Sequence, residues 1–238
     1  MFHARTLAVS LCSFLALTAT SLTRADEPKT TLKKGDRIVF LGDSITQAGA
    51  GKGGYITLIK DGLNEKYKDL EVDIVGAGIS GNKVPDLQAR VDKDVIAKKP
   101  TIVFIYIGIN DVWHGQDDPA KGTSPEKFEA GLREVIGKIT DAKARVILCT
   151  PSVIGEKTDG SNKNDKKLDE YSDISRKVAK ELKLEVCDLR KEFIAKLKET
   201  NKDNKEKGIL TTDGVHLNAD GNRFVAEVML KTLADSGK

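Results

Sequence analysis

The sequence predicts an α/β domain: a parallel sheet with helices on both faces. Three observations carry this. Short apolar runs rich in β-branched residues recur along the chain, each of strand length. Segments with apolar residues three or four apart, the spacing of a helix, stand between them. One run, Thr101–Ile107, is apolar throughout, as a strand covered on both faces is. Strands that alternate with helices build a parallel sheet wrapped on both sides.

The elements follow in order. Arg37–Leu41 is the first strand and stops at Gly42, where the backbone can turn sharply. Gly51-Lys52-Gly53-Gly54 is a mobile loop. Tyr55 to Tyr67 is helical, with Ile56, Ile59 and Leu63 on one face. Glu71–Val75 is the second strand and runs into Gly76-Ala77-Gly78-Ile79-Ser80-Gly81. Val84 to Ala97 is a helix with Pro85 in its first turn. After the third strand comes Gly108-Ile109-Asn110-Asp111. Ser124-Pro125-Glu126 opens the next helix as cap, proline and acid. Ala144–Leu148 and Leu184–Cys187 are strands four and five. Residues 155–169, rich in Lys, Asp and Asn, are expected to form a solvated surface loop. Helices are expected over Tyr171–Leu182, Lys191–Glu199 and Ala219–Leu233, with a loop at Thr212–His216 before the last.

A chain of 238 residues with 39% hydrophobic and 32% charged content can fill one such domain. Residues 1–25 resemble a secretory leader: Arg5, an apolar stretch from Leu7 to Leu22, then Thr23-Arg24-Ala25 with small residues for cleavage. The stretch is short and interrupted by hydroxyls, which fits cleavage better than a membrane anchor. Residues 26–238 are then a single domain, exported to the periplasm or the medium. The formal charge of +3 falls to +1 without Arg5 and Arg24. That balance gives no electrostatic case for nucleic acid or an anionic membrane as partner. Cys149 and Cys187 sit in apolar runs and are expected to be buried, inert thiols.

Ser44 lies just past the carboxyl end of the first strand, where open α/β sheets bind ligands. A serine there can equally be a turn or a helix cap. As a nucleophile it needs a base, because a serine hydroxyl is weakly nucleophilic at neutral pH. Outside the leader there are two histidines, His114 and His216. Each has an aspartate three residues before it, Asp111 and Asp213, able to orient an imidazole. Spacing alone does not choose between them.

The blocks around them do. Gly42-Asp43-Ser44-Ile45-Thr46, Ser80-Gly81-Asn82, Gly108-Ile109-Asn110-Asp111 and Asp213-Gly214-Val215-His216 stand in the order found in the SGNH hydrolases, also called GDSL esterases. The chain resembles that family over nearly all of residues 26–238. The resemblance implies a flavodoxin-like, three-layer α/β/α sandwich with a five-stranded parallel sheet. It implies Ser44 as nucleophile, His216 as base and Asp213 as its partner. It also implies an oxyanion hole from the Ser44 and Gly81 amides and the Asn110 carboxamide, with no cofactor and no metal. The second block of the family usually opens with asparagine where this chain has Gly76, so Gly78 competes with Gly81 for the amide. His114 matches no catalytic position.

Other readings of the same residues are weaker. Gly76-x-Gly78-x-x-Gly81 has the glycine spacing of a dinucleotide loop, but it follows the second strand and no acidic residue closes the next. The two Asp/His pairs could hold a zinc ion, but no His-x-x-x-His pair supports it. There is no Gly-x-Ser-x-Gly elbow. Within the family the chain is most similar to carbohydrate acetylesterases, the acetylxylan esterase group, through Gly54-Tyr55-Ile56, Leu87-Gln88-Ala89-Arg90 and Gly108–Trp113. This implies a small or oligosaccharide ester as substrate, with Trp113 and His114 as candidate contacts. A lysophospholipase or thioesterase of the same family, or a binding module on the same fold, are the alternatives.

Overall fold

A computed structural model describes Met1 and residues 31–235. Apart from Met1, the expected leader at residues 1–25 lies outside the described residues. The five apolar runs form five strands: β1 Arg37–Gly42, β2 Asp73–Gly78, β3 Ile102–Tyr106, β4 Arg145–Cys149 and β5 Glu185–Cys187. All pairings are parallel and the order is β2-β1-β3-β4-β5, the flavodoxin-like order. The central β3 is buried at every residue. Phe40 of β1 stacks on Phe104 of β3 with ring centroids 5.0 Å apart, so truncating either should cost about 3–5 kcal/mol.

The helices are α1 Ser44–Gly49, α2 Tyr55–Lys66, α3 Val84–Asp94, α4 Ile109–Trp113, α5 Pro125–Asp141, α6 Asp165–Leu182, α7 Leu189–Thr200 and α8 Ala219–Asp235. They form two packed groups. α2 meets α8, which also meets α7, while α3, α5 and α6 pack in succession. The apolar stripe of α5, Phe128, Leu132, Val135, Ile136 and Ile139, is wholly buried, and Ser124 caps its first turn by accepting from the Lys127 amide. Cys149 and Cys187 face each other in register on β4 and β5, buried and unbridged. Burial pushes the Cys149 thiol well up.

The structure corrects the sequence reading at three places. β2 starts and ends later than Glu71–Val75, because Gly76, Ala77 and Gly78 continue the ladder opposite Phe40, Leu41 and Gly42. Residues 155–169 are not a uniformly solvated loop: Glu156 and Leu168 are fully buried, and Asn162 nearly so. α6 already begins at Asp165, its polar first turn held by Arg190, whose Nη2 reaches Asp165 and Nε Asp169 at 2.7 Å each. Two short helices, α1 and α4, also stand where the sequence shows only loops.

Candidate active site

The order of the sheet puts its switch point between β1 and β3, where chains leave in opposite directions and a crevice opens at the carboxyl ends. Ser44 leaves β1 there and Asn110 leaves β3. Ser44 is the first residue of α1, so its amide is not used within that helix. Asp43 caps the helix, its Oδ1 accepting from the Ile45 amide over 2.9 Å. Burial pushes the Asp43 carboxyl up to about 7, against the pull of that amide.

The loop before α8 comes to the same place. Ser44 Oγ lies 2.9 Å from His216 Nε2, and His216 Nδ1 lies 2.7 Å from Asp213 Oδ2. Asp213 Oδ1 also accepts from the Val215 and His216 amides. Burial disfavours the Asp213 charge, but the His216 ring and these two amides outweigh it and hold the carboxyl down at about 2. An ionised Asp213 accepts a hydrogen bond from Nδ1–H and so keeps the ring proton on that nitrogen, which leaves Nε2 as acceptor for the Ser44 hydroxyl. The three side chains can therefore pass a proton from Ser44 to an imidazole whose positive charge is balanced.

The second Asp/His pair does not form. His114 is exposed at the end of α4. Asp111 is buried, and its Oδ1 accepts from the Val84 amide at the start of α3 over 3.1 Å. Burial raises the Asp111 carboxyl to about 6. Among the described residues, no group of three or more His, Cys, Asp and Glu is placed to hold a metal ion.

Asn110 is buried and donates from Nδ2 to the Asn82 carbonyl over 3.1 Å, which joins the end of β3 to the loop after β2. The two competing glycines differ. A Cβ on Gly78 would lie 2.2 Å from the Gln47 amide nitrogen, so this glycine serves the close packing of β2 on α1. Gly81 has φ +77° and open space where a Cβ would be, in the loop that Asn110 grips. Two of the three glycines in the spacing that resembles a dinucleotide loop, Gly76 and Gly78, are thus spent on β2 and its packing. Trp113 stands edge-on to His216 with ring centroids 6.3 Å apart, and is 37% exposed. The Trp113 ring also stands near the His114 ring, 6.4 Å away.

The sequence reading missed two residues that shape this region. Arg90 donates to the Gly42 carbonyl, the Ala77 carbonyl and Asn82 Oδ1. Glu156 accepts from the segment just before Asp213. A cavity of about 500 Å³ between α6 and residues 111–125 does not include Ser44 or His216, both of which are half-buried.

An α/β sheet with a serine at its switch point, bonded to an imidazole, is built as a serine hydrolase is. Residues 40–224 match the GDSL-like Lipase/Acylhydrolase family, and the chain belongs to that family and is a carboxylic-ester hydrolase. It is 33% identical over 214 residues to an acetylxylan esterase of Geobacillus stearothermophilus, covering 84% of this chain and 94% of that one. The crystal structure of the acetyl xylan esterase AlAXEase superposes with a TM-score of 0.79 at 46% identity, covering 82% and 98% of the two chains. That of Axe2, an acetylxylan esterase of Geobacillus stearothermophilus, gives 0.76 at 30% identity over 85% and 95%. Axe2 has also been solved as catalytic mutants with a serine, an aspartate or a histidine replaced by alanine, the last two lying three residues apart.

Proposed function

We propose that this chain is an exported carbohydrate acetylesterase that works through Ser44, His216 and Asp213. The observation that carries the mechanism is the hydrogen-bonded line from Ser44 Oγ through His216 to Asp213. Ser44 Oγ attacks the ester carbonyl while His216 Nε2 takes its proton. The carbonyl oxygen becomes an oxyanion, held by the Ser44 and Gly81 amides and the free N–H of Asn110 Nδ2. The tetrahedral adduct collapses, its C–O bond breaks, and His216 gives the proton to the leaving alkoxide. Water then adds to the acyl-Ser44 with His216 again as base. Collapse releases acetate and restores the serine. Asp213 holds the ring in one tautomer throughout.

The substrate reading rests on the acetylxylan esterase relatives and on the polar surroundings of the site. Each buried CH₂ of an acyl chain gains about 0.8 kcal/mol only where an apolar groove receives it. Residues 47–54 and 111–123, beside the site, are mostly Gly, Lys, Asp, Gln and His, with Trp113 as the one large apolar ring exposed there. The leader at residues 1–25 supports export. The test is acetate release from acetylated xylo-oligosaccharides alongside a series of esters of increasing acyl length. Release of acetate and a higher kcat/KM for acetyl than for octanoyl esters are expected. Preference for long chains, with every acetylated glycan left intact, would replace this reading by a lysophospholipase or thioesterase.

A further inference from the structure

Glu156 is 0% exposed, in a stretch whose composition is that of a solvated loop. Its carboxylate is saturated with donors. Oε2 accepts from the Ile209 amide over 2.8 Å. Oε1 accepts from the Leu210 amide at 2.7 Å, the Thr211 amide at 2.6 Å and the Thr211 hydroxyl at 2.8 Å. The backbone of Glu156 is fixed as well, its N–H donating to the Glu206 carbonyl and its C=O accepting from Asn201 Nδ2, each over 2.9 Å. A buried carboxylate is costly unless it is bonded in this way. Three consecutive amides converging on one carboxylate define the path of residues 209–211.

The contacts continue to the site. Thr211 Oγ1, which donates its O–H to Glu156, accepts from the Gly214 amide over 3.0 Å. The Gly214 carbonyl accepts from the Gly155 amide over 2.8 Å. Gly214 is thus held on one side by Thr211 and on the other by Gly155, at φ +101°, a conformation only glycine adopts freely. It lies between Asp213 and the Val215 and His216 amides that Asp213 Oδ1 binds. Thr212 closes the loop, its amide donating to the His216 carbonyl over 2.8 Å.

We propose that Glu156 is a positioning residue for the Asp213–His216 pair, acting through Thr211 and Gly214. This rests on the catalytic roles of Asp213 and His216 given above. Glu156 touches neither of them; it sets the turn that aims the Asp213 carboxylate at Nδ1 of His216. A misplacement of about 1 Å at a reacting group costs on the order of 10²-fold in rate.

The test uses the full chain with Thr211→Val, Thr211→Ser and Glu156→Gln. Valine keeps the shape of threonine and removes the hydroxyl that joins Glu156 to Gly214; serine keeps it. Kinetics on an aryl acetate are measured below the melting temperature. The Nδ1–H proton of His216, protected by its bond to Asp213, is followed by NMR with ¹⁵N-histidine labelling. Thr211→Val should lower kcat by about tenfold or more with KM within about twofold, and should broaden or remove the Nδ1–H resonance. Thr211→Ser should restore both. Glu156→Gln should act in the same direction as Thr211→Val; should it fail to fold, the Thr211 pair decides alone. A Thr211→Val protein with a lower melting temperature but unchanged kcat and Nδ1–H signal would show a structural role only and overturn the proposal. Failure of the underlying mechanism reads differently, as turnover that survives in Ser44→Ala or His216→Ala.

Discussion

Arg90 Nη2 donates to the carbonyl of Gly42 over 2.7 Å, two residues before Ser44. The same guanidinium reaches the Ala77 carbonyl at 2.9 Å and Asn82 Oδ1 at 2.6 Å, and pairs with Asp94 at 3.1 Å. It therefore ties the ends of β1 and β2 to the loop that carries Gly81. A lysine supplies one point charge where this position needs a fork. Arg90→Lys should lower kcat by about 10–10²-fold with little change in KM, since what loosens is the geometry met in the transition state. Steady-state kinetics on an aryl acetate check this; a change confined to KM would place Arg90 in substrate binding.

The two histidines separate cleanly in the structure, and so should their variants. His216→Ala removes the group bonded to Ser44 and should cost at least about 10²–10⁴ in kcat/KM. His114→Ala removes an exposed ring and should leave the chemical step on a small aryl acetate running. The reverse pattern would move the base to His114.

Asn110→Ala tests the oxyanion hole. Loss of one such donor should lower kcat by about 10²–10³-fold. KM should move little, because the bond strengthens as charge develops on the oxygen. Asn110 is buried and also holds the Asn82 carbonyl, so the variant's melting temperature is measured in parallel.

The strands were legible because β3 and its neighbours are runs of Val, Ile, Phe and Leu, and the candidate site because its four blocks, each at a strand end or in a loop, stand in the order of the family they resemble. What escaped was decided by contacts distant in sequence. Glu156 is followed by exposed polar residues at Asp159, Ser161 and Lys163, and the partners of its carboxylate lie more than 50 positions away. Composition sees only that the stretch is polar. Asp111 looked like a partner for His114 by spacing, yet it faces the start of α3, a choice fixed by how α3 packs and not by the local sequence. β2 looked shorter than it is because glycine is a poor strand former. Gly78 is nonetheless placed there by the approach of α1.

Asp43 gives the folded protein a pH dependence of defined sign. Its carboxyl is raised by burial to about 7, from an unfolded value of about 3.9. The folded state binds this proton more tightly. Its favourable contribution is complete below about pH 4 and is lost as pH rises through about 7. Asp111, raised by burial to about 6, acts in the same sense. Asp213 acts in the opposite sense: with its carboxyl held at about 2, its contribution is present above about pH 4 and is lost as pH falls towards 2. Asp43→Asn keeps an oxygen for the Ile45 amide and removes the ionisation. Its melting temperature relative to the parent should therefore rise between pH 5 and pH 8. The rise should be at least about 2–4 °C, the shift that 1 kcal/mol gives a chain of this size. A difference that stays constant with pH would show that Asp43 does not titrate in this range.

Replacing Trp113 should separate binding of a sugar from the chemical step. It lies three residues past Asn110, edge-on to His216 and 37% exposed, so its indole borders the position an ester would take beside Ser44. An indole that only packs would be covered, and its loss would weaken every substrate alike. An indole that receives the C–H face of a pyranose buries apolar groups worth about 0.8 kcal/mol each, roughly two- to tenfold in affinity for one or two of them. An acetylated xylo-oligosaccharide has such a face, whereas a small aryl acetate has no sugar to place there. Trp113→Ala should therefore lower kcat/KM for the oligosaccharide ester by roughly two- to tenfold more than for the aryl acetate, chiefly through KM. Equal losses on both substrates, carried in kcat, would mean that the ring's contact with His216 is what matters, and the sugar platform would be abandoned.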